Sequence, residues 1–353
     1  MAKSIGPLAL AAALACAPAP GRCAGSPRPA GLYVWGEAVE MTDGRADRGE
    51  PDSDAQDRLL RACLEGPLRI RRLHFLADPG SWDAGSVDRL LRAAAAAGIE
   101  VYAVPPGGMQ DAWAGPFLRT GRADPRPVLA WVRSVFARGA PGARFAGVQL
   151  DVEPHRARAR RLLLFRPTAW DESGGGLSGS PRNRAIASEY LALLDAVRAE
   201  LSRIEPRPRL AATIPTWLDG EDLSSPDGNG GESWARLVQS RADFVTLMDY
   251  VGRGGESGAA RAAEAIESEI AAGPVEILLE TASPGMRRGA PRRGETLYGG
   301  GEAGLLDVVR RLEERFAGHP NFLGCAVHHY RNAYGSGAPG WPPRGGGSRD
   351  GRH

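Results

Sequence analysis

Lysine is nearly missing from this chain of 353 residues. Lys3 is the only one, and the other 43 basic residues are arginines. The 42 acids almost match them, which leaves a net charge of +2. So even a balance, with no strip of basic and aromatic residues, argues against a nucleic-acid partner. The many Ala, Gly and Pro residues go with Arg in a GC-rich coding bias, so the arginine count alone carries no argument.

Cysteine is scarce too, with four in all. Cys16 and Cys23 fall in the leader-like first 25 residues. Cys63 and Cys325 remain, at no metal-site spacing. Two readings stay open for them: a disulfide in an exported protein, or two buried thiols. Long apolar runs are also lacking, and nothing after the start is apolar enough to cross a membrane.

The start reads as an export signal over 1–25. Lys3 is the positive end, Pro7 to Ala15 the apolar run, and Ala17-Pro-Ala19 or Cys23-Ala24 the small residues for cleavage. Ala13-Leu-Ala-Cys16 also matches part of a lipoprotein box, which would put a lipid anchor on Cys16. The protein is therefore expected outside the cytoplasm: periplasmic, extracellular or lipid-anchored. Losing the leader would leave 42 basic against 42 acidic residues.

What the chain does have is alternation. Strands are expected near 31–36, 69–77, 99–104, 145–151, 209–214, 243–250, 275–281 and 322–330. Helices are expected near 54–64, 84–97, 127–137, 184–204, 232–240, 258–272 and 302–317, with Gly98 suited to end the second. Residues 105–126, 155–182 and 282–301 read as long loops. The tail 335–353, all Gly, Pro and Arg in character, reads as disordered. Eight strand-then-helix units over 26–334 predict a single-domain (β/α)8 TIM barrel, with a doubly wound open sheet as the competitor.

The stretch that organises this pattern is Phe145-Ala-Gly-Val-Gln-Leu-Asp-Val-Glu-Pro-His155. Along a strand, Gln149, Asp151 and Glu153 share one face, while Val148, Leu150 and Val152 take the other. Pro154 ends the pairing. Acids at the mouth of an apolar strand are costly unless paired or functional. Other polar residues gather at strand ends, among them Asp78, Thr216, Trp217, Asp249, Tyr250 and Glu280. His328, His329 and Tyr330 close the eighth strand, where His328 and Tyr330 are expected to face the lumen. In such barrels the site forms at these ends.

Glu153 on strand four and Glu280 on strand seven face each other across the expected mouth. Two carboxyls over one cleft suit glycoside hydrolysis, with one protonating the leaving oxygen and the other attacking the sugar or activating water. Glu153 is the expected general acid and Asp151 its orienting neighbour. Glu280 is the expected nucleophile unless a loop arginine pairs with it, and Tyr250 is a hydrogen-bond donor to Glu280 or to the sugar. Gln149, Trp217, Asp249, His328, Tyr330 and Trp35 are expected to touch the substrate. Trp113 and Trp170 also sit in loops expected near the mouth, where indole faces stack on sugars. The arginines at 156–166 and 287–293 suit an anionic polymer.

Several motifs together carry a resemblance. Leu150-Asp-Val-Glu-Pro154, Leu247-Met-Asp-Tyr250, Leu279-Glu-Thr281 and Val327-His-His-Tyr330 resemble an uncharacterised group of bacterial glycoside-hydrolase-like (β/α)8 barrels. Family 18 chitinases are similar in part. Their strand-four Asp-x-x-Asp-x-Asp-x-Glu falls on Ala146, Gln149, Asp151 and Glu153, and their Met-x-Tyr-Asp on Met248, Tyr250 and Val251. The last Asp-x-Glu and the Met-x-Tyr agree, and the other acids do not. Retaining glycosidases with Glu on strands four and seven carry Asn-Glu-Pro, where this chain has Val152-Glu153-Pro154. The resemblance implies a glycosidase acting on a polysaccharide or oligosaccharide, working as a monomer without a cofactor or metal. A non-catalytic carbohydrate-binding barrel is the binding-class alternative, and a metal-dependent hydrolase using Asp151, Glu153 and a His is the third reading.

Overall fold

The structure is a computed structural model. It describes residues 30–35, 38, 41–42, 53–137, 142–152, 180–216, 233–249, 255–282 and 295–328. Eight parallel strands close into a barrel in sequence order. They are β1 (Ala30–Val34), β2 (Ile70–Leu76), β3 (Glu100–Val104), β4 (Gly147–Leu150), β5 (Arg209–Pro215), β6 (Phe244–Met248), β7 (Val275–Glu280) and β8 (Phe322–His328). Closure is made by Gly31 and Leu32 of β1 pairing with Ala326 and Val327 of β8. The open-sheet competitor is thereby excluded.

Helices wrap this barrel: α1 (Ser53–Glu65), α2 (Ala84–Ala96), α3 (Met109–Ala114), α4 (Phe117–Thr120), α5 (Arg126–Ala137), α6 (Pro181–Leu201), α7 (Trp234–Gln239), α8 (Gly255–Ala272) and α9 (Gly301–Phe316). Local chemistry starts and stops them. Asp83 accepts from the Ser86 amide at 2.7 Å and caps α2. Gly98 follows α2 at φ 68°, a backbone conformation that only glycine enters without strain. Ser180 caps α6, with Pro181 in its first turn. None of the helices among the described residues is long and apolar enough to cross a membrane.

The strands divide their side chains between two cores. Outward residues such as Val148, Leu150, Val245 and Leu247 join the helices in one continuous apolar shell. The lumen is filled in layers. Tyr102, Ala211 and Phe244 form a lower apolar cluster. Tyr33, Met248, Leu278 and Ala326 form an upper one. Phe244, Thr246 and Met248 are successive lumenal residues of β6, so Thr246 marks a polar layer between the two clusters.

Two expectations are corrected here. The stretch 105–126 is not plain loop, because α3 and α4 lie in it. Trp113 of α3 is not at the mouth: it is 1% exposed, with its ring 5.9 Å from that of Tyr190 in the helical shell. Of the two readings for Cys63 and Cys325, the structure takes the second, with both as free, buried thiols. Burial pushes the Cys63 thiol up to about 12 and the Cys325 thiol well above its usual range.

Candidate active site

The polar layer is the base of the site. Glu276 of β7 is fully buried, and its carboxylate takes hydrogen bonds from Arg72, from His74 Nε2 at 2.7 Å and from the Thr246 hydroxyl at 3.1 Å. Burial pulls the Glu276 pKa upward, but His74 and Arg72 outweigh it and hold the carboxyl at about 2. Room for this carboxylate comes from Gly31, where a Cβ would lie 2.5 Å from Glu276 Oε1. Arg72, His74 and Glu276 were not among the expected site residues. Alternation places Arg72 and His74 two apart on one face of β2, and Glu276 four residues before Glu280 on β7.

Gln149 belongs to this layer rather than to the opening, which corrects its expected place against substrate. It is wholly buried, its Nε2 donates to Thr213 Oγ1 at 2.5 Å, and its Oε1 accepts from Thr246 Oγ1 at 3.5 Å. Its amide is spent within the barrel.

Above the layer, Tyr33 stacks on His74 with ring centroids 4.3 Å apart. Burial first, then the negative charges of Glu276 and Asp151, push the Tyr33 hydroxyl well above its usual pKa. Asp151, one residue past β4, is therefore near enough to act on Tyr33. Glu280 ends β7 at 4% exposure. Its Oε2 is bonded to His328 Nδ1 at 2.7 Å, and its Oε1 accepts from the Ala282 amide at 2.6 Å. The partner of Glu280 among the described residues is thus a histidine, while the loop arginines at 287–293 lie outside them. The His328 ring stands edge-on to Tyr33, at 5.9 Å, and to Trp35, at 6.0 Å. Trp35, His328, Glu280 and Asp151 all follow or end their strands, at the carboxyl end of the barrel.

Asp249 takes a different side. It continues the outward parity of Val245 and Leu247, and its Oδ2 has no hydrogen-bond partner among the described residues. Burial pushes its carboxyl up to about 6, against a smaller downward pull from Arg261 of α8. Its expected contact with substrate is corrected to a place toward the helical shell. Glu153, Tyr250, Trp217, Tyr330, Trp170 and His329 lie outside the described residues. Among the described residues, no group of three or more His, Cys, Asp or Glu is set to hold a metal.

Behind Glu280 the chain is stitched back onto itself. The Leu297 amide donates to the Glu280 carbonyl at 2.9 Å. The Thr296 hydroxyl donates to the Ala282 carbonyl at 2.7 Å. The two ends of the segment between 282 and 295 therefore meet at the rim of β7.

No family model matches the chain. No characterised protein matches it in sequence either. Solved glycoside-hydrolase barrels are among the structures it resembles. An exo-β-1,4-mannosidase from Opitutaceae bacterium strain TAV5 aligns over 86% of this chain and 52% of its own length, at 15% identity and a TM-score of 0.47. The Bacillus cereus spore cortex-lytic enzyme SleL aligns over 86% and 70%, at 11% identity and 0.46. A xylanase-α-amylase inhibitor protein solved with trehalose aligns over 86% and 93%, at 12% identity and 0.41. This chain thus spans about half of the mannosidase. Likeness this loose says nothing of chemistry, and the closed barrel stands on its own strand pairing.

Proposed function

We propose that this protein is a glycosidase acting on a polysaccharide or oligosaccharide outside the cytoplasm, with Glu280 and Glu153 as its working carboxyls. One observation carries the reading: the Glu280 carboxylate is held at the barrel mouth by a backbone amide and by His328, whose ring stands 6.0 Å from the Trp35 indole. Barrels of this kind build their sites at that end. Glu153 lies two residues beyond Asp151 in the sequence.

In the retaining form, a Glu280 oxygen attacks the anomeric carbon while the glycosidic C–O bond breaks. Glu153 gives its proton to the departing oxygen. Glu153 then takes a proton from water, whose oxygen attacks the same carbon and releases Glu280. This course goes with carboxyls about 5–5.5 Å apart, whereas about 6.5–9.5 Å would make Glu280 the activator of water and the outcome inversion. Asp151 is the orienting neighbour of Glu153, and Trp35 offers an aromatic edge to a sugar.

A non-catalytic carbohydrate-binding barrel is the second reading. It is favoured by the fact that both Glu280 oxygens already accept hydrogen bonds. A panel of bacterial and plant polysaccharides, assayed for new reducing ends, separates the two. The wild type should release them, and Glu153→Gln and Glu280→Gln should each lose at least about a thousandfold in turnover. Full activity in either variant ends that residue's assignment. Saturable glycan binding without release of ends selects the binding barrel.

A further inference from the structure

We infer that His328 is the positioning residue of Glu280, acting through that carboxylate rather than on the sugar. This rests on the hydrolase reading and goes further, because His328 was expected only as a substrate contact. The geometry constrains the imidazole at three points. Nδ1 meets Glu280 Oε2 at 2.7 Å. The ring plane stands at 73° to Tyr33 and 79° to Trp35, so each aromatic neighbour limits its rotation. Tyr33 is itself propped from below by its stack on His74, whose Nε2 is fixed to the buried Glu276.

The backbone is locked as firmly as the ring. The His328 carbonyl accepts both the amide of Thr281, at 2.8 Å, and its hydroxyl, at 2.7 Å. Thr281 is the residue after Glu280, so the histidine and the carboxylate are tied through main chain and side chain together. With Oε1 held by the Ala282 amide, both carboxylate oxygens are engaged. A reacting group fixed in this way keeps its attack geometry without spending binding energy on ordering it.

A substrate contact and a positioning role differ in what they change. A histidine that touches sugar sets KM, whereas one that aims the carboxylate sets kcat. The test uses the full chain and the polysaccharide found by the screen, with His328→Phe and His328→Gln. In His328→Phe, kcat should fall about a hundredfold while KM stays within about threefold. In His328→Gln, whose amide N–H can reach the same oxygen, about tenfold of that loss should return.

A ligand-free measurement runs beside it. In imidazole 15N spectra, Nδ1 of His328 should carry a proton, and its signal should move in Glu280→Gln. The inference is overturned by an unchanged kcat in His328→Phe, by a raised KM at constant kcat, or by an Nδ1 signal indifferent to Glu280→Gln. If the Phe variant fails to melt cooperatively, the Glu280→Gln spectrum decides alone. A wild type that hydrolyses nothing sinks the hydrolase reading and this role with it. An active wild type with a fully active His328→Phe sinks only this role.

Discussion

Two glutamates on β7 each bond a histidine at 2.7 Å, four residues apart, and they live in opposite worlds. Glu276 and His74 are sealed in the lumen, with Arg72 completing the set. Glu280 and His328 stand at the opening, where the His328 side chain is 23% exposed. The lower set joins charges from β2 and a hydroxyl from β6 on one carboxylate, while Arg72 Nε and His74 Nδ1 have no hydrogen-bond partner among the described residues. The upper set uses a backbone amide, and its exposed member is the histidine, since the Glu280 side chain is only 5% exposed. A similar carboxylate–imidazole bond serves as a structural peg at one depth and as candidate machinery at the other. The exposure of the histidine, 0% for His74 against 23% for His328, separates the two.

The largest effect should come from breaking the lower set. Glu276→Gln leaves the Arg72 charge buried, with Glu100 at 3.9 Å as the nearest remaining acid among the described residues. Urea unfolding at neutral pH should show a loss of about 3–5 kcal/mol, the scale for removing one partner of a buried pair. Glu280→Gln should cost only about 1 kcal/mol, because the amide oxygen still accepts from His328. Equal losses would break the comparison.

Acid gives the next effect. The Glu276 carboxyl sits at about 2 in the fold, against an ordinary value of 4.5. Its contribution is therefore complete above pH 4.5 and fades as the pH falls toward 2, for a total of about 3 kcal/mol. The stability gap between wild type and Glu276→Gln, followed by urea midpoints, should close over that window. A constant gap would show that the pair does not set the carboxyl's ionisation.

Smaller again is Gly31→Ala. The added methyl would press on Glu276 Oε1 and on Ala326 Cβ, 2.9 Å away. A loss of about 1–3 kcal/mol in thermal or urea unfolding is expected, as for overpacking. The same substitution in a Glu276→Gln background should cost less, since the two share one contact.

The smallest effect has the opposite sign. The Asp249 carboxyl is pushed up to about 6, so the fold binds its proton more tightly than the unfolded chain does. Stability from this group is present below pH 3.8 and is lost as the pH rises through 6. Asp249→Asn should then gain about 1–2 kcal/mol at pH 8, and none near pH 3. A neutral or destabilising outcome at pH 8 would mean that a charge beyond Arg261 compensates the carboxylate.

The barrel could be read from the chain because its signals are local. Strand and helix runs alternate, and caps such as Asp83 and Ser180 sit where helices begin. The short helices α3 and α4 hid behind Gly108, Gly115, Pro116 and Gly121, which by residue type read as loop. Glu280 and His328 were found because they end strands. The Arg72–His74–Glu276 layer was missed although alternation places all three inside. Only closure of the barrel brings β2 against a β7 residue 204 positions away. Asp249 was misplaced for a simpler reason. Thr246 and Met248 take the inner face, so alternation turns the residue after them outward.

One detail of the rim reaches beyond this molecule. The polypeptide departs at Ala282 and returns by Thr296 and Leu297 to the carbonyls of Ala282 and Glu280. Extra residues between those anchors add a closure cost that grows only logarithmically with their number. Recognition sequences of many lengths could be grafted there while the carboxylate stays where it is, which would let specificity evolve separately from reactivity.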